Sequence, residues 1–289
     1  MAISQITLLG GDLRHAYTAE YLNSCGYVVT CFGTPDFPYQ SNIQLAASPE
    51  QALHTDALFM PTPFSKDNTH LFQKSSSVPP IPISQLSGML SHPMVIFHNG
   101  MPNIFQEQFE NADCKLYALS DSSRFATENA RLTAEGLLSE VIRYTPFSLE
   151  NTRILLLGYG YCGAAIGTLF STFESGIYVL EREISKQLQA EEHGLLALSE
   201  KEKKTILPRC NLVINTIPQQ ILTNEDLALL PGDCHIFDIA SAPFGFSNDV
   251  SSRFAIPYFR LPGLPGKFHP KTAGIIAGKA IERMINHGL

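Results

Sequence analysis

The segment RILLLGYGYCGAAIGTLFSTFESGIYVLE, residues 153–181, restricts the fold of this chain more than any other stretch. An apolar run (154–157) leads straight into Gly158-Tyr159-Gly160-Tyr161-Cys162-Gly163. A helical stretch (164–173), a turn at Ser175-Gly176, a second apolar run and Glu181 follow. Strand, glycine turn, helix, strand and acid at these spacings make a dinucleotide-binding unit. Gly158 lets the chain turn tightly out of the strand, Gly160 leaves room for a pyrophosphate against the backbone, and Gly163 lets the helix approach the sheet. The free amides and positive dipole end of that helix then hold phosphate. All six residues of the turn are expected cofactor contacts.

The N-terminus opens a second unit of the same kind. Residues 6–9 read as a short buried strand ended by Gly10-Gly11-Asp12. A helix follows, with Asp12 as N-cap and Ala16, Ala19 and Leu22 facing inward, and then a strand at 28–32. A GGD turn thus stands where the other half has GxGxxG. Further strands are expected at 57–60, stopped by Pro61-Thr62-Pro63, and at 94–97, opening into His98-Asn99-Gly100. Residues 35–49 and the Ser/Pro-rich 75–84 read as irregular, with Ser84 capping a short helix at 85–90. Residues 127–144 form a long amphipathic helix carrying Glu128, Asn129, Thr133 and Glu135.

Beyond Glu181 a helix (184–193) ends at Gly194. Strands at 212–214 and 235–239 run into Asn215-Thr216-Ile217-Pro218 and Ala240-Ser241-Ala242-Pro243. RLPGLPGKFHPKTAG (260–274) reads as a Gly/Pro-rich loop before an Ala-rich helix that reaches Asn286. The alternation predicts an α/β protein of two doubly wound parallel-sheet domains, one flavodoxin-like and one Rossmann-like. The expected division is a substrate domain at 1–146 and an NAD(P)-binding domain at 147–270, with the C-terminal helix (271–289) packing back on the first.

Composition narrows the function. A net charge of −7 and a pI near 5.7 oppose a nucleic-acid partner, which needs clustered Lys and Arg. No apolar run approaches the roughly 20 residues that span a bilayer. The start, MAISQITLLGGD, has no basic region of the signal-peptide kind. Six cysteines (25, 31, 114, 162, 210, 234) show neither CxxC nor metal-ligand spacing. They read as reduced thiols in a cytoplasmic protein without a metal.

Strand ends in an open parallel sheet meet at the ligand crevice, so the loops at 10–12, 98–100, 215–218 and 240–243 are expected around cofactor and substrate. Asn215 and Thr216 read as amide and hydroxyl contacts to the nicotinamide ribose or as an ordinary turn, and Ile217 and Pro218 are expected cofactor contacts beside them. Glu181 suits the ribose hydroxyls of NAD, whereas Arg182 suits the 2′-phosphate of NADP, and both cofactors stay open. Arg14 reads as a crevice cation or a surface helix charge, Lys271 as an anchor for an anion or a cap of the last helix. Glu135 reads as a general acid or base, or as an exposed helix carboxylate. His98 and His269 are candidates for proton transfer.

With ITLLGGDLR, TAEG (133–136), LLLGYGYCG, NTIP, FDIAS and PGLPGKFHPKTAG (262–274) in view, the chain resembles the A subunit family of dipicolinate synthase over nearly its whole length. The resemblance implies a two-domain protein arranged like the 2-hydroxyacid dehydrogenases. It implies oxidation of dihydrodipicolinate, or its 4-hydroxy-tetrahydro precursor, to dipicolinate during spore formation. A nicotinamide cofactor would serve as acceptor, and the expected partner is a flavoprotein B subunit. Gly10, Gly11, Asp12 and Arg14 match the family's first turn, and Asn129, Thr133, Glu135 and Gly136 its central helix. Ser241, Pro265, Gly266, Pro270, Lys271 and Thr272 match the last segments. On this footing Glu135 and Lys271 are the catalytic candidates, and Asp12, Arg14, Asn99, Thr133, Ser241 and Thr272 bind a small dicarboxylate. The family often has an Arg-Ser pair suiting NADP where this chain has Glu181-Arg182-Glu183. A homo-oligomer is expected. The alternatives are a dehydrogenase for another small carboxylate of the 2-hydroxy acid type, and a cofactor-binding assembly subunit with no turnover of its own.

Overall fold

A computed structural model describes residues 3–75, 77–90 and 92–287. The first two residues of the N-terminal segment, Ser76 of the Ser/Pro stretch and positions 288–289 of the expected last helix lie outside the described residues. The chain divides into two compact units, one built from residues up to 129 together with 269 onward, the other from 130–268.

In the first unit β1 (Gln5–Leu9), α1 (Leu13–Ser24), β2 (Val28–Phe32), β3 (Gln44–Leu45), α2 (Pro49–Ala52) and β4 (Ala57–Phe59) are followed by α3 (Ile83–Leu86), β5 (Val95–His98), α4 (Asn103–Glu110) and β6 (Lys115–Ala118). Helix α5 (Ser123–Tyr144) comes next, and the division between the units falls within it, upstream of the boundary expected after residue 146. The strands form one parallel sheet in the order β3-β2-β1-β4-β5-β6. Without the two-residue β3 this is the flavodoxin order. Both faces of the sheet are covered. Ile6 and Leu8 pack with Ala19 and Leu22 of α1, whereas Leu9 faces a cluster with Leu58, Ile96 and Phe109. That two-sided burial explains the uninterrupted apolar runs of the strands.

The second unit runs β7 (Arg153–Leu157), α6 (Tyr161–Ser171), β8 (Gly176–Leu180), α7 (Ile184–Glu192), β9 (Leu196–Leu198), α8 (Lys203–Ile206), β10 (Leu212–Asn215), α9 (Asn224–Leu227), β11 (His235–Asp238), α10 (Val250–Phe254), β12 (Tyr258–Arg260) and α11 (Leu264–Phe268). Its sheet order, β12-β11-β10-β7-β8-β9, is all parallel and is the Rossmann arrangement. Alternate residues of β7 serve opposite cores: Ile154 and Leu156 meet Ile166 and Phe170, and Leu155 and Leu157 meet Val213 and Ile236.

Helix α12 (Pro270–Asn286) returns to the first unit and lies on α1. The two backbones approach closely because small residues line the seam. A Cβ on Gly274 would stand 2.4 Å from the Arg14 carbonyl oxygen, and one on Gly278 would stand 2.5 Å from Tyr21 Cδ1. Thr18 Oγ1 donates to the Gly274 carbonyl at 2.9 Å, and Tyr21 OH donates to Glu282 Oε2 at 2.7 Å.

Several expectations are corrected. Ser84 does not cap a helix: α3 starts at Ile83, Pro82 holds the N-cap position, and no side chain bonds there. Much of the Gly/Pro-rich tail is helical, because Pro270 occupies the first turn of α12, where its missing N–H costs nothing. The short strands β3, β9 and β12 and helix α4 add to the elements read from sequence. No helix among the described residues is long and apolar enough to cross a membrane.

The α1–α12 seam makes a testable demand. Gly274→Ala inserts a methyl against main chain that has no room to give, and should destabilise the protein by about 1–3 kcal/mol. Urea unfolding of the variant beside the parent checks this, and an unchanged midpoint contradicts it.

Candidate functional site

The glycine turn after β7 contains glycines of two kinds. Gly158 has φ +90°, and a Cβ there would lie 2.6 Å from Thr216 Oγ1 and 2.7 Å from Ile217 Cγ1. The fold itself therefore requires glycine at 158. At Gly163 a Cβ would meet the Gly158 carbonyl oxygen at 2.2 Å, which is the close approach of α6 to the turn. Gly160 differs. Its φ of −79° and ψ of −164° suit any residue, and nothing lies within 4 Å of where a Cβ would be. Packing does not demand glycine there, and the space above it is open.

Gly160 is also the N-cap of α6, with no side chain capping it. The first amide to reach an intrahelical carbonyl is that of Ala164, 2.9 Å from Gly160 O. The amides before it stand without helical partners at the positive end of an 11-residue helix. An open cradle with bare amides fits the pyrophosphate of a dinucleotide.

Glu181 closes the other side of this turn. Its Oε2 accepts the Tyr159 amide at 2.9 Å, and its Oε1 accepts the Arg182 and Glu183 amides at 2.9 and 3.1 Å. Arg182 is exposed, and Glu183 pairs with Lys186 at 2.7 Å. Tyr161 is 51% exposed at the start of α6. Cys162 is half-buried, and burial pushes its thiol up against the opposing effect of a hydrogen bond to Thr133.

Two of the expected cofactor contacts are corrected by their burial. Tyr159 sends its ring into the core, 1% exposed, where its hydroxyl meets His193 Nδ1 at 2.8 Å. Only its main chain belongs to the turn. Asn215 is fully buried. Its Nδ2 donates to Asp238 Oδ1 at 2.8 Å and to the Ile217 carbonyl at 2.9 Å, while its Oδ1 accepts the Ile217 amide at 3.2 Å. The amide shapes the 215–218 turn and is not offered to a ligand. Thr216 likewise donates its hydroxyl to the Leu157 carbonyl at 2.9 Å.

Asp238 is the residue that sequence reasoning missed. Fully buried, it accepts from Asn215 Nδ2, from the Ala240 and Gly245 amides at 3.2 and 3.0 Å, and from Tyr258 OH at 3.2 Å. Four donors around one carboxylate tie the ends of β10, β11 and β12 together. Its signal in the sequence was a lone acid closing an apolar strand, HIFD.

The first unit finishes its glycine turn differently. Gly10 and Gly11 have φ +56° and +87°, but a returning segment covers them. Gly11 N donates to the Phe72 carbonyl at 2.7 Å and Lys74 N donates to the Gly11 carbonyl at 2.9 Å. A Cβ on Gly10 would lie 2.3 Å from Phe72 O. No phosphate can approach this turn as it can Gly160.

Beside it Asp12, 6% exposed, caps α1 and grips Arg14 along one edge, accepting from Nε at 2.9 Å and from a terminal nitrogen at 3.0 Å. The same terminal nitrogen also donates to the Thr62 carbonyl. Burial alone would raise the Asp12 carboxyl, but the bonds and charge of Arg14 hold it below the usual range. Asp12 is therefore a partner of Arg14 rather than a ligand contact, and that edge of Arg14 is already taken. Arg14, His15, Thr62, Asn99, Asn129 and Ala273 line one cavity of this unit. Arg14 and Asn99 are thus brought together as expected substrate-binding groups. Lys271 and Thr272 are exposed on the first turn of α12, and Glu135 and Ser241 are exposed in the second unit. Thr133 is buried there, and His98 is buried in the first unit, where burial lowers its basicity against the pull of Asp121. Among the described residues no group of three or more His, Cys, Asp or Glu is placed to hold a metal ion.

His15 carries a pH prediction. It is 1% exposed, stacks on Phe59 with ring centroids 4.6 Å apart, and meets the Met60 carbonyl through Nε2 at 3.2 Å. Burial and the charge of Arg14 lower its pKa from 6.5 to about 4. Between those values the unfolded chain binds a proton that the folded chain refuses, so stability falls as pH drops, by up to roughly 3 kcal/mol. Urea unfolding across this window, compared with His15→Gln, should show the slope reduced in the variant. An NMR midpoint near the ordinary histidine value would contradict it.

Residues 5–120 match the sequence model of the family described as the N-terminal domain of the dipicolinate synthase A subunit. The curated A subunit of dipicolinate synthase from Bacillus subtilis (strain 168) is 29% identical over 192 residues, which are 66% of this chain and 64% of that protein. The match thus spans slightly less than two thirds of that relative's length. Among solved structures, the dipicolinate synthase A subunit from Bacillus halodurans has a TM-score of 0.88 at 21% identity, covering 98% of this chain and 97% of that one. The transhydrogenase of Sinorhizobium meliloti has a TM-score of 0.70 at 12% identity, covering 98% and 94%, and shares the fold. These matches bear out the resemblance to the dipicolinate synthase A subunit family read from the sequence, by sequence over residues 5–120 and by fold over nearly the whole chain.

Proposed function

We propose that this chain is the nicotinamide-binding A subunit of a dipicolinate synthase. It oxidises dihydrodipicolinate, or its 4-hydroxy-tetrahydro precursor after loss of the hydroxyl as water, to pyridine-2,6-dicarboxylate, a hydride passing to NAD or NADP and a proton to a base. Its setting is the cytoplasm during spore formation, and its partner is a flavoprotein B subunit, the relatives being named as A subunits. The observation that carries the reading is Gly160, a glycine that neither backbone conformation nor packing requires, at the bare N-terminus of α6. A ligand that must touch the main chain there accounts for it.

The residues divide the work. The first-turn amides of α6 bind the pyrophosphate, and Glu181 stands at the adenosine ribose. The bound nicotinamide supplies the hydride-accepting carbon. A dianionic substrate needs cations and polar groups, and the cavity of Arg14 and Asn99 offers both. Ring oxidation also releases a proton, for which Glu135 is the candidate acceptor, and Lys271 is the candidate anion contact on α12. Thr133, Ser241 and Thr272 remain candidate substrate contacts.

Dipicolinate absorbance, followed with freshly generated 4-hydroxy-tetrahydrodipicolinate and each nucleotide, with and without the flavoprotein, tests the reaction. Product formation that depends on this chain supports it. Nucleotide binding with no product in any combination assigns the chain to another small carboxylate or to assembly. Gly160→Val is expected to unfold like the parent, within about 0.5 kcal/mol, and to weaken nucleotide binding by about tenfold or more, which is about 1.4 kcal/mol or more. Calorimetric titration checks the second number, and unweakened binding would overturn the assignment of the turn.

A further inference from the structure

We propose that Glu181 makes this site select the free 2′-hydroxyl of NAD over the 2′-phosphate of NADP. The inference rests on the cofactor reading above and concerns the adenosine end of the same site. Glu181 directly follows β8, the second strand of the βαβ unit, where such folds meet the adenosine ribose. Its carboxylate is not a loose surface group. Tyr159 N holds one oxygen, and the Arg182 and Glu183 amides hold the other, so the charge is fixed beside the glycine turn in a single orientation.

Three bonds leave room at a carboxylate with about four acceptor positions. A ribose hydroxyl has a proton to donate to the remaining position, and a phosphate dianion has none. A 2′-phosphate would also bring a charge of about −1.5 to −2 against this fixed anion. The nearby cations do not reverse the balance. Lys186 is paired with Glu183 at 2.7 Å. Arg182 is flanked in the chain by Glu181 and Glu183, and its own amide helps clamp the Glu181 carboxylate.

Calorimetric titration of the full chain with NAD+ and with NADP+ tests the proposal. The parent should bind NAD+ at least about tenfold more tightly. Glu181→Ser, and the shape-preserving Glu181→Gln, should narrow or reverse that ratio, each variant's fold being verified by its unliganded thermal melt. NADP+ binding as tightly as NAD+, or more tightly, overturns the selection and leaves the cofactor reading standing. A parental preference that survives in both variants overturns the assignment to Glu181. Binding of neither nucleotide by the parent overturns this inference and the proposed function together.

Discussion

The approach of Gly163 to the carbonyl of Gly158 is the contact on which the second unit depends. A single methyl at 163 would stand 2.2 Å from that oxygen. Because it is absent, α6 starts directly over the end of β7 and its dipole points at the turn. The same approach leaves Gly160 at the outer rim of the turn, and Glu181 reaches back from β8 to hold the Tyr159 amide. Helix position, open cradle and fixed acid are thus consequences of one backbone contact.

The two units show how one topology is finished in two ways. Each has a glycine turn after its first strand. In one, the chain lays residues 72–74 over Gly10 and Gly11 and hydrogen-bonds to them. In the other, the turn stays uncovered. The fold is therefore common to both halves, and they differ in whether a loop returns over the turn. In the covered half the polar groups turn to each other: Asp12 holds Arg14, and Arg14 reaches the Thr62 carbonyl.

What was legible in the sequence follows from the same physics. Strands buried on both faces write themselves as apolar runs, so β1, β2, β7, β8 and β10 could be read directly. The edge strands β3, β9 and β12 have two or three residues, too few to carry a period. Glycine turns were legible as turns, but not as covered or open, since Phe72 meets Gly10 across a long stretch of chain. Asn215 misled for a related reason. A polar residue after a strand looks like a ligand group until its distant partner, Asp238, is placed beside it. Local signals gave the elements, and long-range contacts decided which polar groups remain for chemistry.

The seam between α1 and α12 has a consequence for how the protein is made. Thr18 bonds to Gly274 across 256 residues, and the whole of the second unit lies between them in the chain. A ribosome must therefore deliver all of 130–268, a contiguous unit with every strand of its own sheet, before the helix that covers α1 emerges. Domains released in order tend to fold as they appear. Here the N-terminal half waits with the Tyr17, Thr18 and Tyr21 face of α1 open, and the later half has its complete sheet first. Closing so long a loop adds only slowly to the entropic cost, so the delay is one of timing rather than of final stability.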